Sequence, residues 1–104
     1  MKVILESPYS GNVAFNLEYA RKCLKDSLLR GEFPIASHLL HTQVLDDTKK
    51  DERKIGIEAG LAWVSSADLH VFYVDHDMSP GMQYAYDKST INCEFRFLYD
   101  NHEQ

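Results

Sequence analysis

The segment Tyr73-Val-Asp-His-Asp-Met-Ser-Pro-Gly-Met-Gln-Tyr-Ala85 decides the fold. It overlaps an apolar run, Leu69 to Val74, that reads as a buried strand. Ser79-Pro80 then reads as a helix start. Serine is a favoured N-cap, and proline at the first helical position sacrifices no hydrogen bond, because its missing N–H would be unpaired there anyway. A strand, a short acidic loop and a Ser-capped helix place free backbone N–H groups and a positive helix end at the carboxyl edge of a sheet, where anionic groups bind. The same pattern also describes a capped surface helix with no ligand, and such caps are far commoner than ligand sites.

Working outward, Lys50 to Ala67 reads as a helix whose apolar stripe is Ile57, Leu61 and Val64, widened by Ile55, Ala59 and Ala62. Gly56 and Gly60 lie four apart on one face. Each glycine costs a helix about 1 kcal/mol against alanine. The expected return is close backbone approach to the sheet, to a neighbouring helix or to a second subunit, with Trp63 in the core or an interface. Ser79 to about Lys88 is the third helix, Asn92 to Tyr99 the fourth strand, and Asp100 to Gln104 a frayed polar end. Phe33 to Leu40 reads as a second strand that brings His38 to its carboxyl end. Thr42, Gln43, Asp46 and Asp47 follow as a polar loop that either closes over a ligand or caps the next helix. Asn12 to Arg30 is the first helix, capped by Asn12 and stopped at Gly31, with Val13, Leu17, Ala20, Leu24 and Leu28 as its buried stripe. Lys2 to Glu6 is the first strand.

The order βαβαβαβ predicts an α/β fold. It is a three-layer, Rossmann- or flavodoxin-like arrangement with a four- to five-stranded, mostly parallel sheet in the order 2-1-3-4. In such a sheet the loops leaving the strands' carboxyl ends flank the ligand crevice. The candidate ligand-binding residues are therefore Ser7, Tyr9 and Gly11 after the first strand, His38 after the second, and Ser79, Gly81 and Met82 at the third helix. Tyr9 is placed to stack on a base or sugar; a Pro-Tyr turn packed on a helix end is the alternative.

Composition narrows the function classes. With 104 residues, one domain is expected, 44% hydrophobic and 26% charged, as for an ordinary globular chain. The formal net charge of −5 argues against a nucleic-acid polymer as partner but leaves room for a single nucleotide. A domain of this size has little surface left to wall off a deep pocket beside its core, so a homo-oligomer is expected in which a second subunit supplies part of the wall. Cys23 and Cys93 are expected buried and reduced. No stretch has the pattern of a signal peptide or the length of a membrane span, so the expectation is a cytoplasmic protein with no membrane partner. No dinucleotide fingerprint, P-loop, metal-spaced Cys/His set or Ser–His–Asp pattern occurs, so no cofactor or metal is expected.

The element order and the residues Ala67-Asp68, Tyr73 and Ser79-Pro-Gly81 resemble the nucleoside 2-deoxyribosyltransferase-like superfamily, which includes deoxyribosyltransferases and nucleoside 5′-monophosphate N-glycosidases. A likeness running nearly end to end is to small phage and bacterial domains of that broad fold. It is carried by Glu6-Ser-Pro-Tyr9, Ser27-Leu-Leu-Arg-Gly-Glu32, Ala36-Ser-His-Leu-Leu40, Gly56-Ile-Glu-Ala-Gly-Leu-Ala-Trp63 and Ser79-Pro-Gly-Met82. The resemblance implies a crevice for a nucleotide or nucleoside-derived molecule. The superfamily's catalytic Glu falls here on Ala85, and its Asp on the preceding helix falls on Gly60. The resemblance thus implies retained binding without turnover and, for a phage-encoded chain, sequestration of a signalling nucleotide in the host cytoplasm. The alternatives are an active N-glycosidase or deoxyribosyltransferase using Glu58 or Asp75, and a protein-interaction module with a vestigial crevice.

Overall fold

In the computed structural model, which describes residues 1–99, the four apolar runs form one sheet. Its strands are β1 (Lys2–Glu6), β2 (Phe33–Ile35), β3 (Leu69–Tyr73) and β4 (Cys93–Arg96), in the order β2-β1-β3-β4 and parallel at every neighbouring pair. Helices α1 (Val13–Leu29), α2 (Lys50–Ala62) and α3 (Pro80–Lys88) make the connections. This is the α/β fold and strand order that the alternation predicts. The chain steps from β1 to β2 in one direction, then from β2 to β3 and β4 in the other. Crossovers of one hand then put α1 on one face and α2 and α3 on the opposite face. The core divides accordingly. Val3, Leu5, Val71 and Tyr73 pack with Tyr19 and Cys23 of α1, and Phe72 packs with Met82 and Ala85 of α3, with Leu61 of α2 at the border.

Several local expectations need correction. The second strand stops at Ile35; Ser37–Leu39 and His41–Gln43 wind into 3₁₀ turns, closed by Leu39 N–H to Ala36 O and Val44 N–H to His41 O. Leu39 still packs on the α1-side core, so its hydropathy reports burial rather than strand. Helix α1 keeps the expected period, but its buried face is Asn16, Tyr19, Ala20, Cys23 and Ser27, while Leu28 is exposed and Leu17 and Leu24 border the face. Asn16, Tyr19 and Ser27 bury because each finds a hydrogen-bond partner there. Helix α2 ends at Ala62 and a 3₁₀ turn, Val64–Ser66, follows; Trp63 is 63% exposed and so is not core. β4 ends at Arg96, because Leu98 and Tyr99 turn their N–H groups onto the Asp75 carboxylate instead of the ladder. Cys23 is buried and Cys93 half-buried, and both are free thiols. Asp100 to Gln104 lie outside the described residues. Among those described, no helix is long and apolar enough to cross a membrane.

Candidate functional site

The strand order reverses direction between β1 and β3, and their carboxyl ends therefore open a crevice. A cleft of about 100 Å³ lies there. Its walls are Glu6, Ser7, Tyr9 and Ser10 from the end of β1, Ser37, His38, His41, Thr42, Leu45 and Asp47 from the β2–α2 connection, residues of α2 from Glu52 to Leu61, and Ser79, Gly81, Met82 and Ala85 of α3. Sites that enclose a drug-sized ligand span roughly 300–1,000 Å³. This cleft is smaller than such sites, so a ligand of that size would extend beyond it.

Each wall is held by identifiable bonds. Asn16 Nδ2 donates to the carbonyls of Tyr9 and Ser10, both at 3.0 Å, tying the first loop to α1. Asn12 caps that helix by accepting from Phe15 N–H. Gly11, at φ +97°, makes the turn into the cap and is not in the cleft wall. Ser7 is buried with its Oγ 2.8 Å from His38 Nε2. Burial holds the His38 pKa below its ordinary value, so the imidazole is neutral at pH 7. Its Nδ1 has no partner among the described residues, and neither has Nδ1 of His41. Thr42 Oγ1 donates to His38 O at 2.6 Å and fixes the turn that carries both rings.

Within the chain, the two glycines of α2 approach this connection rather than the sheet or another helix. A Cβ on Gly60 would stand 2.5 Å from Ser37 Oγ and 3.2 Å from Ser37 Cβ; one on Gly56 would stand 3.3 Å from Leu45 Cδ1. At α3, Ser79 Oγ accepts from Met82 N–H at 3.2 Å and Ser79 O from Gln83 N–H at 2.9 Å. The cap thus occupies the Met82 N–H expected to face a ligand, and Pro80 has none. The Gly81 N–H and the Ser79 hydroxyl remain as donors.

Seven residues were expected to bind ligand. The structure brings six of them into one cleft: Ser7, Tyr9, His38, Ser79, Gly81 and Met82. It does not bring the two candidate catalytic carboxylates there. Glu58 is exposed on the outer side of α2, its Oε2 3.4 Å from Tyr84 Oη. Asp75 accepts bonds from the Tyr19 hydroxyl and from Leu98 and Tyr99 N–H at 2.8 and 3.0 Å. Burial opposes its charge, but these hydrogen bonds prevail and lower its pKa. Ala85 and Gly60 are buried in the wall and supply no acid–base group.

Glu6 was missed, although a carboxylate ending a central strand beside the reversal point was a readable signal. His41 was missed because it lies in a turn that has no hydropathy period, and Glu52 and Arg53 because α2 was read for its apolar stripe. The ionic side chains of the wall are Glu6, Asp47, Glu52 and Arg53, with Arg53 Nε 4.0 Å from Asp47 Oδ1. Among the described residues no group of three or more His, Cys, Asp or Glu side chains is arranged to hold a metal ion. A protein-family model described as "Domain of unknown function (DUF7768)" matches residues 1–95. No curated protein matches the chain.

Proposed function

We propose that this chain, which belongs to the DUF7768 family, binds a nucleotide or another nucleoside-derived small molecule in the cleft at the strand-order reversal. The observation that carries this reading is the convergence of three elements on one crevice: hydroxyls from Ser7 and Ser79, a free backbone N–H at Gly81, and the Tyr9 ring. The anionic group sits at Gly81 and Ser79, where the α3 dipole favours it. The sugar lies toward Ser7 and His38, and the base extends outward past Tyr9. Binding without turnover is the reading we adopt, because the carboxylates that the resemblance and the sequence point to are absent from the wall. Positions 60 and 85 carry no carboxylate, Glu58 faces away, and Asp75 is committed to Tyr19 and the chain after β4. A cleft this small leaves much of a nucleotide uncovered, which supports a homo-oligomer whose second copy adds wall. The exposed rings of Trp63, Tyr84 and Tyr86 on the α2–α3 side are the contact we assign to it. For a phage-encoded chain the biological reading is sequestration of a host signalling nucleotide in the cytoplasm.

The test is incubation with nucleosides, nucleotides and ADP-ribose-type molecules, followed by chromatography. Depletion of one compound, recovered intact on denaturation, is the expected result. Release of free base would establish an enzyme instead, and no change with any compound would leave the interaction-module reading.

A further inference from the structure

We propose that Glu6 is the hydroxyl-binding carboxylate of the cleft and makes it selective for ribose over 2′-deoxyribose; this rests on the nucleotide-binding reading above. Glu6 is the last residue of β1, opposite Phe72 of β3, at the floor of the crevice. One carboxylate oxygen is anchored: Oε2 lies 2.9 Å from Nε2 of His70. His70 is fully buried, its Nδ1 is 2.9 Å from Ser89 Oγ, and its ring lies 4.5 Å from that of Phe72, centroid to centroid. The imidazole is therefore a fixed post inside the sheet, and it orients the carboxylate as an outer partner orients a binding group. The other oxygen, Oε1, has no protein partner among the described residues, and it is not among the buried unpaired atoms there, so it opens onto the cleft.

An ionised carboxylate accepts hydrogen bonds and donates none. The free oxygen thus repels a phosphate and calls for a donor. Gly81 and Ser79, which supply the anion's donors, follow β3, and Glu6 ends the adjacent strand about 4.8 Å away. The part of a nucleotide next to its phosphate is the ribose, whose 2′- and 3′-hydroxyls are donors. Because His70 holds the carboxylate, it cannot turn aside when a hydroxyl is missing. A 2′-deoxy ligand leaves a desolvated acceptor unpaired, the situation in which polar sites discriminate most strongly.

The experiment is calorimetric titration of the full chain with ribose 5-phosphate against 2-deoxyribose 5-phosphate, repeated with the four common ribonucleoside 5′-monophosphates and their 2′-deoxy counterparts. The ribose member of a pair is expected to bind at least about tenfold tighter. Glu6→Gln keeps an acceptor for His70 but turns an amide N–H₂ toward the cleft, and it should bring the ratio close to one. Equal affinity for the two sugars in the unchanged protein overturns the inference and leaves the nucleotide reading standing. So does a preference that persists in Glu6→Gln. Absence of binding by every probe overturns the inference, and the nucleotide reading falls with it only if the wider chromatographic set above also shows no depletion. The comparison in the unchanged protein needs no variant, so a misfolded Glu6→Gln protein does not rescue the proposal.

Discussion

The α1 face of the sheet and the cleft treat polar groups in opposite ways. On the α1 face, Arg96 donates through Nη1 and Nη2 to the two oxygens of Glu32 at 2.8 and 2.6 Å, through Nε to Glu94, and again through Nη1 to the Tyr73 hydroxyl at 3.2 Å. Tyr73 donates onward to Asp26 at 2.6 Å, and Ser27 donates to Glu32 at 2.7 Å. Tyr19 and Asp75 close a second bridge between α1 and the loop after β3. These bonds link α1, the turn before β2, β3 and β4, and they complete one another. In the cleft, Nδ1 of His38, Nδ1 of His41 and Oε1 of Glu6 have no partner among the described residues. A satisfied buried network fixes a fold, whereas the cleft leaves polar atoms unsatisfied: the two imidazole nitrogens are buried without a partner, and the Glu6 oxygen alone of the three is accessible. The contrast separates residues whose polar groups complete the fold from residues whose polar groups it leaves unpaired.

The largest effect is expected at Arg96. Arg96→Met removes one partner of a largely buried ion pair and strands Glu32. The expected loss is about 3–5 kcal/mol, read as a shift of the urea midpoint at constant slope. A loss below about 1 kcal/mol would break the comparison. The same pair sets an acid limit. Hydrogen bonding from Arg96 lowers the Glu32 carboxyl from 4.5 to about 2, against the opposing effect of burial. A depressed carboxyl contributes stability that is present above its unfolded value and lost as pH falls through its folded one. This contribution, on the order of 1–3 kcal/mol after allowance for solvent screening, should therefore disappear between about pH 4.5 and pH 2. Glu32→Gln should flatten that part of an acid titration of stability.

How legible each region was in the sequence follows from the kind of force that builds it. The runs Val3–Leu5 and Val71–Tyr73 were readable because a central parallel strand is buried on both faces. Ser79 was readable because a cap is local chemistry, and its bond to Met82 spans three residues. The buried face of α1 was misplaced because hydropathy ranks Leu28 above Ser27. Ser27 is inside because Glu32 waits five residues away, and Tyr19 because Asp75 waits fifty-six away. The same distant pairing ties Asp75 to α1, outside the cleft wall. The wall carrying Ser37 and His41 lies in 3₁₀ turns, for which no periodic signal exists. Glu6 was read as the end of a strand, although its place beside the reversal point made it a candidate.

A smaller effect is expected where α2 meets the cleft wall. Gly60→Ala gains about 1 kcal/mol of helix propensity but forces a methyl to 2.5 Å from Ser37 Oγ and 3.2 Å from its Cβ. Overpacking of this kind costs about 1–3 kcal/mol, so a net loss of up to roughly 2 kcal/mol is expected, together with a shifted Ser37–His38 turn and weaker ligand binding. Gly56→Ala is the control. Its methyl meets the flexible end of Leu45 at 3.3 Å, and the substitution should be neutral or stabilising by up to about 1 kcal/mol. If both glycines responded alike, the close approach at Gly60 would not be what positions the wall.

The smallest effect on stability is expected at the centre of the cleft, and it sharpens the contrast most. Ser7 and His38 are held to each other at 2.8 Å, but the imidazole carries an unpaired Nδ1 in a site that desolvates it. His38→Leu alone leaves the buried Ser7 hydroxyl without a partner, at a cost of about 1–3 kcal/mol, and Ser7→Ala alone leaves Nε2 unpaired at a similar cost. Replacing both partners by apolar groups removes the bond and all of the stranded atoms together, including the Nδ1 that was already unpaired. The double variant Ser7→Ala/His38→Leu should therefore lie within about 1 kcal/mol of the unchanged protein, less destabilised than either single variant, with a coupling that a double-mutant cycle reads directly. Binding of ribose 5-phosphate should nevertheless fall, because the sugar loses both polar neighbours. A double variant that lost more than about 2 kcal/mol would mean that the pair stabilises the fold as the Arg96 network does, and the distinction between the two regions would fail at the place where it matters most.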